Sequence, residues 1–352
     1  TLRGDGQGGR RFEGPRWFFR EEKIPYFRSE FVVVSPKNRP LDVEATGAGV
    51  PKPVVTENGA FITRRFQVRK SPALPQEPAS APSQEFLPNV RVGWGINLED
   101  TLARAVDTVN NKTPLDPRLA RIAESIVTES APDAETPGKR PASIDEQARR
   151  IYRWVLANIE QGNEADGRRI VLGKSGNRTA AFLYLCRLVG IDASLGMVRD
   201  RLTAPSTGPF SEAESFNAVA IRLVTERGPR WMVVHEKFAP YGHLPSNLRG
   251  QPAVLLVPGI PRETTPMTGA PDGVTYDGSV DLRADGSAIL DLEQRYEGKF
   301  AILLRTALET LPDAQREEAI ETRLVGQSLP GARLRKLEVK NLGDLDAPLV
   351  LA

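Results

Sequence analysis

Ser175 lies in Gly173-Lys174-Ser175-Gly176-Asn177, just ahead of the unbroken apolar run Ala180 to Cys186. The pattern places its hydroxyl where a helix begins, and a helix N-terminus stabilises negative charge on a nucleophile. A serine hydroxyl is far less acidic than a thiol, so it needs a general base. The chain offers two histidines, His235 and His243. His235, with Glu236 beside it as orienting group, would give a hydrolase or acyltransferase acting through Ser175. The competing role for Ser175 is a helix N-cap, which serine favours. The single cysteine, Cys186, falls about three turns into the buried helix, where a thiol behaves as a small apolar group. A zinc site from His235, Glu236 and His243 matches no standard spacing and lacks an obvious third strong ligand, so neither metal nor cofactor is expected. His243, within Tyr241-Gly242-His243-Leu244-Pro245, reads as a turn residue.

The elements that must position these residues follow from periodicity. Ala180 to Cys186 has no polar face until Arg187, and such a helix is buried on all sides; Gly190 closes it. Before it, Leu98, Leu102, Val106 and Val109 share a helical face, and Leu115, Leu119, Ile122, Ile126 and Val127 share another. Ser143 with Glu146 three residues on makes an N-cap signal for a helix through Ala148, Ile151, Tyr152, Val155 and Ile159. A polar connection, QGNEADGRR, leads to the Ser175 turn. After it come a strand over 193–199, a Pro/Ser/Gly-rich loop over 202–215, a hairpin from 216–224 and 230–235, and a strand over 253–257.

The flanks read differently. Residues 1–92 alternate short β runs with turn signals; Val32, Val33 and Val34 favour a buried strand and Asn58-Gly59 a hairpin turn. The segments 72–88 and 258–271 are Pro-rich and read as linkers. Residues 274–298 alternate around an Asp285-Gly286 turn, 300–324 are helical, and 333–340 return to a strand. Three domains are therefore expected: 1–92 antiparallel β, 93–258 the main domain, and 259–352 β-rich with a helix, the outer two incomplete. Their ends, TLRGDGQGGRRF and DAPLVLA, read as those of a fragment of a longer chain.

With 352 residues, 47 basic and 45 acidic, the chain carries a formal charge of +2. No basic stripe or acidic block points to nucleic acid or a membrane surface. No apolar run reaches the roughly 20 residues of a membrane span, and one cysteine excludes a disulfide framework.

The order GKSGNRTAAFLYLCRLVGIDA, then FNAVAIRL, then RWMVVHEKFAPYGHLP resembles the transglutaminase-like superfamily of papain-like cysteine enzymes. In that family a central helix carries the nucleophilic Cys at its N-terminal end, one strand presents a His, and the next an Asp after a Trp. The resemblance covers residues 97 to 257 and implies an α+β fold: a transglutaminase-like core, a central helix packed on an antiparallel sheet, between two β-rich domains of sandwich type. Counting back from Gly190-Ile191-Asp192-Ala193 puts Ser175 at the Cys position, with Lys174 and Asn177 where the family has acids. Ala218 stands at the His position and His235 at the Asp position. In the family geometry that last position lies beyond direct reach of the nucleophile.

All three positions of the triad are substituted, and Ala218 cannot accept a proton. The resemblance therefore implies a pseudoenzyme that serves as a binding or scaffold module in a bacterial multidomain protein. A peptide or protein ligand in the former active-site groove, and the cell envelope or periplasm as location, follow from the resemblance alone. The alternatives are the Ser175/His235 hydrolase or acyltransferase and a purely structural assembly domain.

Overall fold

Short alternating runs punctuated by Gly and Asn turns build the first of two units, Thr1–Val109 with Arg199–Asn217. The computed structural model describes residues 12–74, 87–110, 114–130, 138–202, 208–269 and 271–352. Strands β1 (Phe12–Glu13), β2 (Trp17–Phe18), β3 (Tyr26–Pro36), β4 (Asp42–Thr46), β5 (Val54–Asn58), β6 (Phe61–Ser71) and β7 (Asn89–Trp94) precede helix α1 (Leu98–Asn110). β7 pairs antiparallel with β1, β2 and β4, while β6 lies between β3 and β5. Phe19, Phe66, Val90 and Val92 form the buried cluster of this unit, joined by Phe31, Val33 and Val68. The Val32 to Val34 run is not a buried strand: only Val33 packs on the cluster, and Val32 and Val34 are exposed, because the pleat sends alternate side chains outward. Asn58 and Gly59 do turn the hairpin between β5 and β6, with Gly59 at φ 56°. Most of the 72–88 connection lies outside the described residues.

The second unit is Asn110–Val198 with Ala218–Ala352. Helix α2 (Pro117–Thr128) starts at Asp116, whose carboxylate accepts from the Arg118 N–H at 2.9 Å. Leu115 precedes it and is exposed, so it is not part of the buried face. Helix α3 (Ile144–Asn158) starts at the foreseen cap, Ser143, whose hydroxyl accepts from the Glu146 N–H. The polar connection after it is more ordered than its composition implies: it holds strand β8 (Glu160–Gln161) and helix α4 (Gly167–Gly173), capped by Asp166. Strand β9 (Ser175–Gly176), helix α5 (Arg178–Leu188) and strand β10 (Ala193–Val198) follow.

The chain then returns to the first unit. There the expected 202–215 loop ends in a helix, α6 (Pro209–Ser215). The Phe210 N–H in its first turn donates to the buried Glu44 carboxylate at 3.0 Å, a cap from a distant strand that composition does not reveal. Residues 203–207 lie outside the described set.

Back in the second unit, β11 (Ala218–Thr225) and β12 (Gly228–Met232) form the predicted hairpin, followed by β13 (Pro252–Leu255) and β14 (Arg262–Thr264). The sheet order is β12-β11-β10-β13-β14, antiparallel throughout. The Pro-rich segment 258–271 thus supplies an edge strand of this sheet as well as a connection, which an edge position tolerates. α5 lies in the cluster formed by Ile151, Tyr152, Phe182, Leu185, Cys186, Ile221 and Leu223, between the helices and one face of the sheet. Alternate residues, Val198, Ala220, Trp231 and Leu255, build a separate cluster with Leu244 and Leu248.

Strands β15 (Gly273–Leu282) and β16 (Ala288–Glu297), helices α7 (Lys299–Glu309) and α8 (Asp313–Ile320), and strands β17 (Val339–Lys340) and β18 (Leu349–Leu351) complete the unit. The sheet order is β15-β16-β18-β17, and Ala301, Leu308 and Ile320 pack against Tyr296, Leu349 and Leu351. The expected single helix over 300–324 is broken before α8, where Pro312 takes the N-cap position; of the expected strand 333–340 only Val339–Lys340 pairs. The architecture is α+β, and among the described residues no helix is long and apolar enough to cross a membrane.

Candidate functional site

The approach to α5 is built from backbone. Helix α4 stops at Lys174, which adopts a left-handed conformation at φ 57°. β9 then pairs parallel with β8: Glu160 N–H donates to Lys174 C=O at 2.9 Å and Gly162 N–H to Gly176 C=O at 3.0 Å. Gly176 sits at φ 144°, and a Cβ there would come within 2.5 Å of Ile170, so only glycine fits the turn. Ser175 is therefore a strand residue with an exposed side chain, not the helix cap. Asn177 is the cap, its side-chain oxygen accepting from the Ala180 N–H at 3.2 Å.

The first helical residue, Arg178, is buried. Its Nε donates to Ile159 C=O at 2.9 Å and its second donor reaches His235 C=O at 3.3 Å. Burial lowers its pKa from an ordinary value high enough to leave it a cation. A cation at a helix N-terminus opposes the dipole, so hydrogen bonds to carbonyls must hold it there. That misplaced charge was the one sequence signal of its role. Nearby, the Lys174 ammonium lies 4.1 Å from the centroid of the Trp154 ring, and burial depresses its pKa.

Ala218 opens β11, opposite Val198 in β10. His235 follows β12 with a half-exposed ring, Nε2 3.9 Å from a Glu236 carboxylate oxygen. Arg178 thus ties the start of α5 to the His235 backbone, but no hydrogen bond joins the Ser175 hydroxyl to the His235 ring among the described residues. Cys186 is fully buried and its thiol pKa is pushed far up by desolvation. His243 is a turn residue, but a buried one at 3% exposure, with no hydrogen-bond partner on either ring nitrogen. Burial lowers its pKa, with Arg249 pushing the same way and Asp272 opposing. Among the described residues no three His, Cys, Asp or Glu side chains are grouped to hold a metal ion.

Among the described residues of the second unit, two cavities bear on these side chains. One of about 530 Å³ is lined by residues that include Arg230, Trp231, Tyr241, His243 and Arg305. Arg305 is buried, and one of its nitrogens donates to three carbonyls, of Asn341, Asp344 and Ala347, at 2.9, 2.6 and 2.9 Å. The other cavity, about 590 Å³, is mainly apolar, with Tyr152, Leu156, Phe238, Tyr241 and Leu345 on its wall and Lys237 and Arg153 at hand. The Tyr152 hydroxyl donates to Ala239 C=O at 2.7 Å, which fixes the Phe238 loop on α3. Ser175, Ala218 and His235 line neither cavity. Sequence reasoning missed Arg305 and Tyr152 because their partners are carbonyls on distant segments.

No protein-family model matches the chain, and no curated protein matches it. A crystal structure of a "putative protease" from Parabacteroides distasonis is similar over 72% of this chain and 47% of that one, with 13% identity and a TM-score of 0.47. This chain thus spans less than half of that protein's length.

Proposed function

We propose that the second unit carries a transglutaminase-like core that has lost its catalytic apparatus and works as a binding or scaffold module in a bacterial multidomain protein. The observation that carries this reading is Arg178. The N-terminus of α5, where a nucleophile would draw on the helix dipole, is occupied by a buried guanidinium bonded to Ile159 and His235 carbonyls. Ser175 is held outside the helix in a strand pair, and Ala218 offers no base. The three-domain division at 92 and 258 belongs to the same proposal, as does a peptide or protein ligand. The mainly apolar cavity beside Tyr152 and Phe238 suits such a ligand better than the Ser175 turn does, since apolar walls with a few charges at hand are what ligand pockets offer.

Labelling by a fluorophosphonate probe tests the loss of catalysis. No label on Ser175 in folded protein is the expected result. Label that disappears in Ser175→Ala and in His235→Ala alike would reinstate the hydrolase or acyltransferase.

A further inference from the structure

The β15–β16 hairpin is a ribbon with an unfinished edge. β16 pairs with β18 only at Gln294 to Tyr296, so from Glu293 outward the two strands have only each other. A two-stranded ribbon is marginal in water unless a face is buried. One face of this one is apolar: Tyr276, Val280 and Leu282 on β15 are 63%, 65% and 72% exposed, and Leu290 lies opposite Val280. On the other face Asp277 lies directly opposite Glu293, and Ser279 opposite Asp291, with Asp281 beyond. Arg295 pairs with Glu293 at 3.1 Å, but Asp277, Asp281 and Asp291 have no ion-pair partner among the described residues. Like charges set directly across a ladder destabilise it. β15 is the outer strand of its sheet, with one row of backbone N–H and C=O groups unpaired.

We infer that the open edge of β15 is a strand-addition site for an extended segment of another protein whose residues alternate between apolar and Lys or Arg. Such a segment completes the ladder through its backbone, extends the apolar face over Tyr276, Val280 and Leu282, and sets its cations against Asp277 and Asp281. Charge excludes a second copy as occupant: edge-to-edge pairing of two β15 strands sets Asp277 and Asp281 of one against those of the other. This surface is separate from both cavities and from the Ser175 turn.

The test is fluorescence anisotropy with a labelled acetyl-Val-Lys-Val-Arg-Val-Lys-Val-amide, its Glu-for-Lys/Arg counterpart, and a blocked Val-Val-Val-Val-Lys-Arg-Lys of the same composition. Saturable binding of the alternating basic peptide is expected. It should weaken about tenfold or more against the other two peptides and in the Asp277→Lys/Asp281→Lys variant, the factor that two cross-strand charge pairs supply. Hydrogen exchange should show new protection in 273–282. Absence of binding, equal binding of the blocked peptide or by the charge-reversed variant, or protection confined to other segments overturns the proposal. A dimer in light scattering that Val280→Glu dissociates overturns it in favour of a second copy. A melting temperature of the charge-reversed variant at least equal to the parent's shows that lost binding is not lost fold.

Discussion

Helix α5 and the β15–β16 ribbon are both rich in apolar residues, yet they stand at opposite limits of burial. Phe182, Leu185 and Cys186 are closed off completely, whereas Tyr276, Val280 and Leu282 face outward. Around α5, three other helices and one face of a five-stranded sheet converge on the same residues. The ribbon extends past the last strand able to cover it. Apolar content therefore establishes that a segment wants a partner, not that this chain supplies one. Inside the α5 framework the contrast repeats on a smaller scale, for the apolar residues pack on one another while Arg178 at its N-terminus bonds to the carbonyls of Ile159 and His235.

The comparison breaks most visibly at Phe182. Phe182→Ala opens a hole in a fully buried site and should cost about 3–5 kcal/mol in urea unfolding, whereas Val280→Ala on the ribbon should cost no more than about 1 kcal/mol. Comparable losses at the two sites would mean that the ribbon face is covered in solution. Arg305→Met leaves three loop carbonyls short of a donor and should cost about 2–3 kcal/mol. A change below about 0.5 kcal/mol would show that water replaces the guanidinium with no loss. At the start of α5, Asn177→Ala should cost about 1 kcal/mol and Ser175→Ala less than about 0.5 kcal/mol. The reverse order would restore Ser175 as the cap.

The smallest effect is a pH slope. His243 has a folded pKa below its ordinary value of about 6.5, so the unfolded chain takes up the proton first. Stability should be level above about pH 7 and fall as pH drops through about 6.5. Burial works against the Asp272 carboxylate, but the Lys299 N–H, the Ser246 hydroxyl, Arg249 and His243 hold its pKa below the usual value. Its contribution is present above about pH 4 and is lost only below that, so the two windows separate. His243→Leu should flatten the slope between about pH 6.5 and 4.5 in thermal melts. An unchanged slope there would assign it to other groups.

Much of the fold was legible because local rules act locally. The Ser143 cap, the Asn58-Gly59 and Asp285-Gly286 turns, the β11–β12 hairpin and the burial of α5 all follow from residues within one or two turns of each other. Helices α4 and α6 were not legible, since both fall in stretches whose composition reads as loop and the carboxylate that meets the first turn of α6, Glu44, comes from a distant strand. At the candidate site, the sequence by itself determined which chemistry was present: one serine ahead of an apolar helix, Ala218 with no group that accepts a proton, and only two imidazoles in the chain. Tertiary structure decided where those groups lie and what fills the space between them. It set Ser175 in a strand pair, buried Arg178 against two carbonyls, and left the ribbon uncovered. The physical reason is that backbone carbonyls carry no sequence signature, so a site organised around them becomes visible only when distant segments are brought together.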